Sequence, residues 1–261
     1  MHIDVNGLVL CASDKRENDK LLTVLTDKIG KIKVTAKGAN KNFGNIRTAC
    51  QLFSYSKMTL FENRGYYQLD CAQPIFQFYE ISKDIESLAL CSYFCQTADA
   101  LTNEGIDYSE ILKLCLRAFY AVTKDKRDMR VIKAAFELRL MSLCGYRPEL
   151  DYCHVCGKPA ENPLFDIKHG AICCRECRTA YERGAISLPV TSGALDAMRY
   201  CVNADVGKIF SFGIGQQSAE SLCTVCEAYL INKSECSFKT LEFYKSLEFM
   251  QKDIEKMTRV S

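Results

Sequence analysis

Residues 26–47 read TDKIGKIKVTAKGANKNFGNIR. Within them Ile32, Val34 and Ala36 are apolar, while Lys31, Lys33, Thr35 and Lys37 are polar. This strict alternation predicts a half-buried β-strand, with one face in a core and the other in water. On such a strand Lys31, Lys33 and Lys37 project from one face, successive positions about 6–7 Å apart. That is close to the phosphate repeat along a single nucleic-acid strand, roughly 6–7 Å, set by the charge density that drives counterion release. From Lys28 to Phe61 the chain carries Lys28, Lys31, Lys33, Lys37, Lys41, Arg47 and Lys57 and no Asp or Glu. Charge of a single sign on one strand face predicts a phosphate-backbone track; the bland alternative is an ordinary solvated face.

Working outward, residues 1–80 form a predicted small β-domain. The expected strands are Val5–Ala12, Leu21–Thr26, Lys31–Lys37, Leu52–Phe61 and Gly65–Ile75. Turn-forming stretches separate them: SDKREND at 13–19, DKIG at 27–30, KGANKNFGN at 37–45 and ENRG at 62–65. Five short strands bury too little as an open sheet, which predicts a closed barrel of the oligonucleotide/oligosaccharide-binding (OB) type. Pro74 is expected to end the β region. Of the aromatics here, Tyr55 and Tyr66 stand two residues from Lys57 and Arg64 and are the candidates for base stacking. The expected DNA-binding set is Lys31, Lys33, Lys37, Lys41, Arg47 and Lys57 with Tyr55 and Tyr66.

Residues 81–251 read as a helical domain, giving an α+β chain. Amphipathic patterns begin near Ser82, Ser109 and Asp128. Gly145 stops the third and Pro148 prevents its restart. Helices resume at about 192–202, 216–231 and 238–251, and residues 252–261 read as a tail that frays. Lys133 and Arg139 on the third helix, with Arg175, Arg178 and Arg183 further on, extend the basic track in this reading.

Between 149 and 185 the helical pattern breaks, and four cysteines fall into two C-x2-C pairs: Cys153 with Cys156, and Cys174 with Cys177, seventeen residues lying between them. Two such knuckles predict a structural zinc site, because each tight turn aims two sulfurs at one ion and Zn²⁺ takes four ligands in a tetrahedron. The stretch PLFDIKHGAI supplies the hairpin that returns one knuckle to the other. Spacing alone leaves Cys173 as an alternative to Cys174. His154, inside the first knuckle, is expected to point outward. Cys223 and Cys226 share the x2 spacing but fall mid-helix and read as core packing.

The chain has 261 residues, sixteen of them Cys, and a formal net charge of +2. Binding to nucleic acid therefore has to be argued from the distribution of charge rather than its total. No 18-residue apolar run is present, so no membrane span is expected. An early acid and no basic leader argue against an export signal, and with helical-stripe cysteines such as Cys91, Cys95 and Cys115 this predicts a reduced, cytoplasmic protein. No G-x-x-x-x-G-K-[ST] loop and no G-x-G-x-x-G turn occurs. The three histidines, His2, His154 and His169, lack the spacing of a catalytic metal site, so no enzyme is expected. The competing reading is a zinc-containing adaptor whose basic face binds acidic proteins rather than DNA.

Several stretches resemble the bacterial recombination mediators of the RecO family: the opening DVNGLVLCASDKRENDKLLTVLTDKIGKIKVTAKGANK, the join CGYRPELDYCHVCG, the return GAICCREC and the closing KSLEF. The resemblance spans nearly the whole chain. It implies an N-terminal OB barrel, a helical domain carrying a zinc module, and binding to single- and double-stranded DNA. It further implies annealing of complementary strands, and loading of RecA, together with RecR, onto DNA coated by single-strand-binding protein (SSB), whose acidic C-terminal tail is a partner. A nucleoid-associated cytoplasmic location follows. The family's return motif reads GGxxCxxC; Ala171 takes the second glycine place here, and the alignment puts Cys174 in the ligand place.

Overall fold

The computed structural model describes residues 1–260 except Arg16, Asn42, Phe43, Lys126, Glu161 and 182–185; side chains of 179–181 and 251–260 are likewise outside the described set. Arg183 therefore lies outside the described residues. The chain packs as two compact units, Met1–Thr123 with Phe238–Ser261, and Lys124–Ser237.

In the first unit, β1 (His2–Asp14), β2 (Lys20–Thr26), β3 (Lys31–Ala36), β4 (Ser54–Asn63) and β5 (Tyr66–Gln77) close into a barrel in the order β1-β2-β3-β5-β4. β3 and β5 run parallel, pairing Val34 with Tyr67; the other pairs are antiparallel, with β4 returning to β1. Closure gives every strand of the barrel a neighbour on both sides. The alternating apolar positions fill the interior: Val5, Val9, Leu22, Val24, Ile32, Val34, Met58 and Leu60 are all buried. The connection from β3 to β4, expected to be only a turn, contains a short helix α1 (Asn45–Ala49). Ile46 and Cys50 pack against the barrel core from there.

Two local features explain particular residues. Gly30 joins β2 to β3 at φ +71°, and a Cβ on it would stand 1.9 Å from the Ile106 carbonyl oxygen. Only glycine fits that approach. Pro74 does not end the β region. β5 continues to Gln77, and Pro74 pairs with Ser56 beside a bulge that leaves Ile75 without a partner. A bulge is where a strand tolerates a residue with no N–H to donate.

The same unit holds α2 (Ile85–Leu101), α3 (Ser109–Lys124) and α8 (Lys239–Val260). Asp84 caps α2 by accepting from the Ser87 N–H at 2.9 Å. Phe119 of α3 meets Phe53 and Phe78 edge-on, at centroid distances of 5.4 and 5.3 Å. Phe53 is thus spent on the helix outside the barrel. Phe238 packs on Tyr93 of α2, and the Thr240 hydroxyl donates to the Gln96 side chain. The change from strand to helix near residue 80 is where the sequence suggests a division; tertiary packing keeps α2, α3 and α8 with the barrel. α8 continues through 252–260, the stretch read as a fraying tail.

In the second unit α4 (Met129–Leu143) packs on α6 (Ser192–Asn203) and α7 (Gln216–Ser234). Lys133 and Arg139, read above as extensions of the basic track, belong to this core. Lys133 is 4% exposed and bonds Glu137 and Glu227, each at 2.8 Å. The Arg139 guanidinium donates to the Val202 carbonyl. Between α4 and α6 the chain forms β6 (Leu164–Asp166), β7 (Ala171–Cys173), α5 (Arg175–Tyr181) and β8 (Ser187–Pro189), the strands in the order β7-β6-β8.

Candidate metal centre and nucleic-acid interface

The two knuckles meet through backbone pairing. The Glu149 N–H donates to Gly170 O at 2.9 Å, the Ile172 N–H to Glu149 O at 3.0 Å, and the His154 N–H to Ile172 O at 3.0 Å. The first knuckle thus runs beside β7. Gly157, at φ +70°, closes it with its N–H on Cys153 O at 2.8 Å. Gly170 turns the β6–β7 hairpin at φ +67°, and a Cβ there would reach the Tyr229 hydroxyl at 2.4 Å.

This pairing brings the sulfurs of Cys153, Cys156, Cys174 and Cys177 within 4.8 Å of one another. Cys156 and Cys174 are 3.9 Å apart. A tetrahedral shell with metal–sulfur bonds of about 2.3 Å needs sulfurs about 3.8 Å apart, so the set fits a four-thiolate ion. Cys173 is buried on β7 against Leu164, and Cys174 supplies the converging sulfur. Burial pushes the Cys153 thiol up, but N–H groups of Cys156, Cys174 and Val155 outweigh it and lower the pKa to about 6. Burial, then hydrogen bonds to and repulsion from Cys153 and Cys156, push Cys174 up to about 12. Hydrogen bonding to Cys156 is the largest influence taking Cys177 up to about 11. Sulfurs this close repel one another as thiolates, and a cation at their centre offsets that repulsion. All sixteen cysteines are thiols, and Cys223 and Cys226 sit in the α7 packing as expected, Cys226 buried and Cys223 donating to Arg130 O.

His154 does not point outward. Its Nε2 lies 3.7 Å from Asp166 Oδ2, and its ring stacks on His169 at 5.1 Å. Asp166 is 2% exposed. Burial alone would raise its carboxyl, but the His169 N–H and ring, with the charges of His169 and His154, hold it below the usual carboxylate range. The sequence signal for this group was the D-x2-H turn of the hairpin stretch, read above only as a return.

The basic row on β3 is broken at its first member. Lys31 turns onto α2, where its ammonium donates to the Asp99 carboxylate at 2.9 Å and to the Asp99 carbonyl at 2.6 Å. Its side chain is 14% exposed, so it does not stand free on the strand face. Lys33 and Lys37 are exposed, as are Lys41 and Arg47 on the segment that follows. None of these four, nor Lys57, takes part in an ion pair among the described residues. Lys57 and Tyr55 lie on β4, which pairs with β5 and β1 rather than with β3, so they do not continue the Lys33–Lys37 row along one strand. Tyr55 is half-buried; burial, and after it the Asp27 charge, push its hydroxyl up.

A groove of about 370 Å³ lies where β3, β4 and β5 meet, lined by Lys15, Thr35, Lys37, Phe61, Asn63, Tyr66, Tyr67 and Gln68. Tyr66 is 81% exposed beside it. Lys15 donates to the Thr35 hydroxyl at 3.2 Å. Lys15 was missed in the sequence because barrel closure, rather than proximity in the chain, carries it there; Phe61 and Tyr67 belong to the aromatics of the β-domain but were not singled out for stacking. The β1–β2 loop that brings Lys15 also brings acids: Asp19 accepts from Gly38 N–H and Asp14 from the Asn40 amide. The acid-free run of sequence is not an acid-free surface.

One chain thus joins a five-stranded barrel with a lysine–tyrosine groove to a helical unit carrying a four-cysteine knot. The family described as "Recombination protein O N terminal" matches residues 1–78, and "Recombination protein O C terminal" matches residues 82–242. The chain belongs to the RecO family of DNA repair and recombination proteins. Its relatives include the DNA repair protein RecO of Acetivibrio thermocellus, 27% identical over 95% of this chain and 98% of that one. That of Alkaliphilus metalliredigens is 28% identical over 95% and 100%. That of Thermoanaerobacter sp. is 28% identical over 90% and 93%. Among the described residues no helix is long and apolar enough to cross a membrane.

Proposed function

We infer that this chain is a non-catalytic recombination mediator. It binds single- and double-stranded DNA, anneals complementary strands and, with RecR, loads RecA onto SSB-coated DNA in the cytoplasm, at the nucleoid. The observation that carries the reading is the match of both halves of the RecO family to a chain whose barrel presents the Lys15–Lys37–Tyr66 groove.

Physically, the task needs no bond chemistry. Two polyanions repel, and a surface that replaces their small cations with fixed ammonium groups lowers the barrier to pairing. Lys33, Lys37 and Lys15 take phosphates along β3, and Lys41 and Arg47 continue the path. Tyr66, exposed at the groove, stacks on a base without reading its identity. Cys153, Cys156, Cys174 and Cys177 hold a zinc ion; a closed four-sulfur shell offers no position to a substrate, so the ion acts on folding. It would fix the knuckles and, through them, exposed Arg175 and Arg178 on α5.

The acidic tail of SSB finds its chemistry in the helical unit. A pocket of about 150 Å³ there is lined by Val131, Ile132, Phe210, Phe212 and Ile214, with Arg127 and Asp128 on its rim. Beside these apolar walls the Arg127 guanidinium, which donates to the Phe212 carbonyl at 2.8 Å, is the group that would pair with the tail's carboxylates.

The test is an oligonucleotide titration across salt concentrations, with metal analysis on the same sample. Affinity that falls steeply and linearly with log salt supports the reading. Salt-independent or absent binding, with retained affinity for an acidic peptide, would replace it by the adaptor.

A further inference from the structure

His154 lies between two of the clustered cysteines in sequence, yet its imidazole takes no part in the sulfur cluster. It turns instead to Asp166 and His169, bringing together residues from the first knuckle, from β6 and from the hairpin turn. His169 Nδ1 stands 3.0 Å from Asp166 Oδ2, and His154 Nε2 stands 3.7 Å from the same oxygen. The rings are nearly parallel, 25° apart in tilt. One ligand atom from each of the three residues lies within 4.8 Å of the other two. Donors about 2.0–2.2 Å from a common ion stand roughly 2.9–3.5 Å from each other, so small ring rotations complete the geometry. The carboxylate is already fixed: Asp166 Oδ1 accepts from the His169 N–H at 3.0 Å, which leaves Oδ2 aimed between the rings.

We propose that His154, Asp166 and His169 form a second metal site, for a divalent transition ion such as zinc, cobalt or nickel. Two imidazole nitrogens and one carboxylate oxygen suit these ions; magnesium and calcium prefer all-oxygen shells, and copper(I) prefers sulfur. The site differs in kind from the four-sulfur cluster. It has three protein donors, and the His169 side chain is 31% exposed, so water reaches the remaining positions and the ion exchanges freely. Its physical role is a clasp between the first knuckle, through His154, and the β6–β7 turn, through Asp166 and His169. The proposal does not depend on the DNA-mediator reading.

Cobalt(II) tests it directly, because thiolate ligands give an intense sulfur-to-cobalt charge-transfer band and nitrogen–oxygen ligands do not. Tag-free full-length protein is stripped by chelator under reducing conditions, titrated with cobalt(II), and its metal content counted. Two ions per chain are expected, the charge-transfer band saturating with one of them. His169→Ala and, separately, Asp166→Asn should each lose the second ion and keep the band. His169→Ala keeps the backbone N–H that bonds Asp166 Oδ1, and Asp166→Asn keeps the oxygen that accepts it, so both preserve that hydrogen bond of the hairpin turn. One ion per chain in the parent at saturation with the full charge-transfer band, or two still bound by both variants, would overturn the proposal. A parent lacking the band but holding an ion that His169→Ala loses would sink the four-sulfur reading and leave this one standing.

Discussion

The ammonium of Lys31 and the carboxylate of Asp99 meet at 2.9 Å, linking the first residue of β3 to α2 within the barrel unit. Pattern alone put Lys31 in a row with Lys33. The pair makes it a fastener instead, with a second bond to the Asp99 carbonyl. Lys31→Ala should therefore lower stability by about 1–2 kcal/mol, since charged hydrogen bonds in a partly covered site exceed ordinary surface pairs. It should leave the salt dependence of DNA binding unchanged. Urea unfolding and a salt titration on one preparation check both halves, and a flattened salt slope at parental stability contradicts them.

Lys15, Lys33 and Lys37 carry the opposite expectation. Each is exposed, and removing a phosphate contact reduces the single-strand salt slope by about 0.7. Lys15→Ala, Lys33→Ala and Lys37→Ala combined should flatten it by about 2 units with little change in unfolding midpoint. Retention of the parental slope would retire the β3 path.

Tyr66 is almost fully exposed, so nothing in the fold needs its ring. Tyr66→Ala should weaken single-strand binding by about 1–3 kcal/mol, the range for one stacked base, and Tyr66→Phe should restore it. Fluorescence titration at fixed salt gives the comparison. Equal affinity for all three proteins removes base stacking from the groove.

Metal content separates the two adjacent cysteines. Cys174→Ser and Cys156→Ser should each abolish thiolate-bound metal and destabilise residues 149–181, whereas Cys173→Ala should keep the ion and lose only about 1 kcal/mol from a small buried void. Chelation of the parent under reducing conditions should reproduce the first pair. If Cys173→Ala is the variant that sheds the ion, the ligand assignment is reversed.

Lys133 is the buried counter-charge to Glu137 and Glu227. Lys133→Met should cost about 3–5 kcal/mol, because Glu137, 0% exposed, would keep a charge in an apolar interior. Glu137→Gln in the same chain should recover part of that loss. Two variants of equal stability would show that the triad is not coupled.

Much of the architecture was legible from local pattern. Alternation of Ile32, Val34 and Ala36 marked β3, the turn stretches marked the other strands, and the third helix was placed from about Asp128, which caps it; α2 begins at Ile85 rather than at the expected Ser82. The two C-x2-C pairs announced a four-sulfur knot, because ligand spacing within a knuckle is set by chain geometry across four residues. Less legible was α1, five residues long and enclosed by Asn and Gly turn formers, and the fate of Pro74, which depends on a bulge at Ile75 of its own strand, set by the pairing with β4.

The sequence by itself determined which positions face a core and that two C-x2-C knuckles form a thiol cluster, since these follow from period and short-range geometry; the fold placed Cys174 rather than Cys173 among the converging sulfurs. Tertiary structure alone decided which charges are available to a polyanion. Lys31 and Lys133 found carboxylates 68 and 94 residues away, and Lys15 reached the groove by barrel closure. His154 likewise turned from an exposed expectation to Asp166 and His169. A side chain's freedom is settled by what the folded chain brings within a few ångströms, and distance along the sequence carries little information about that.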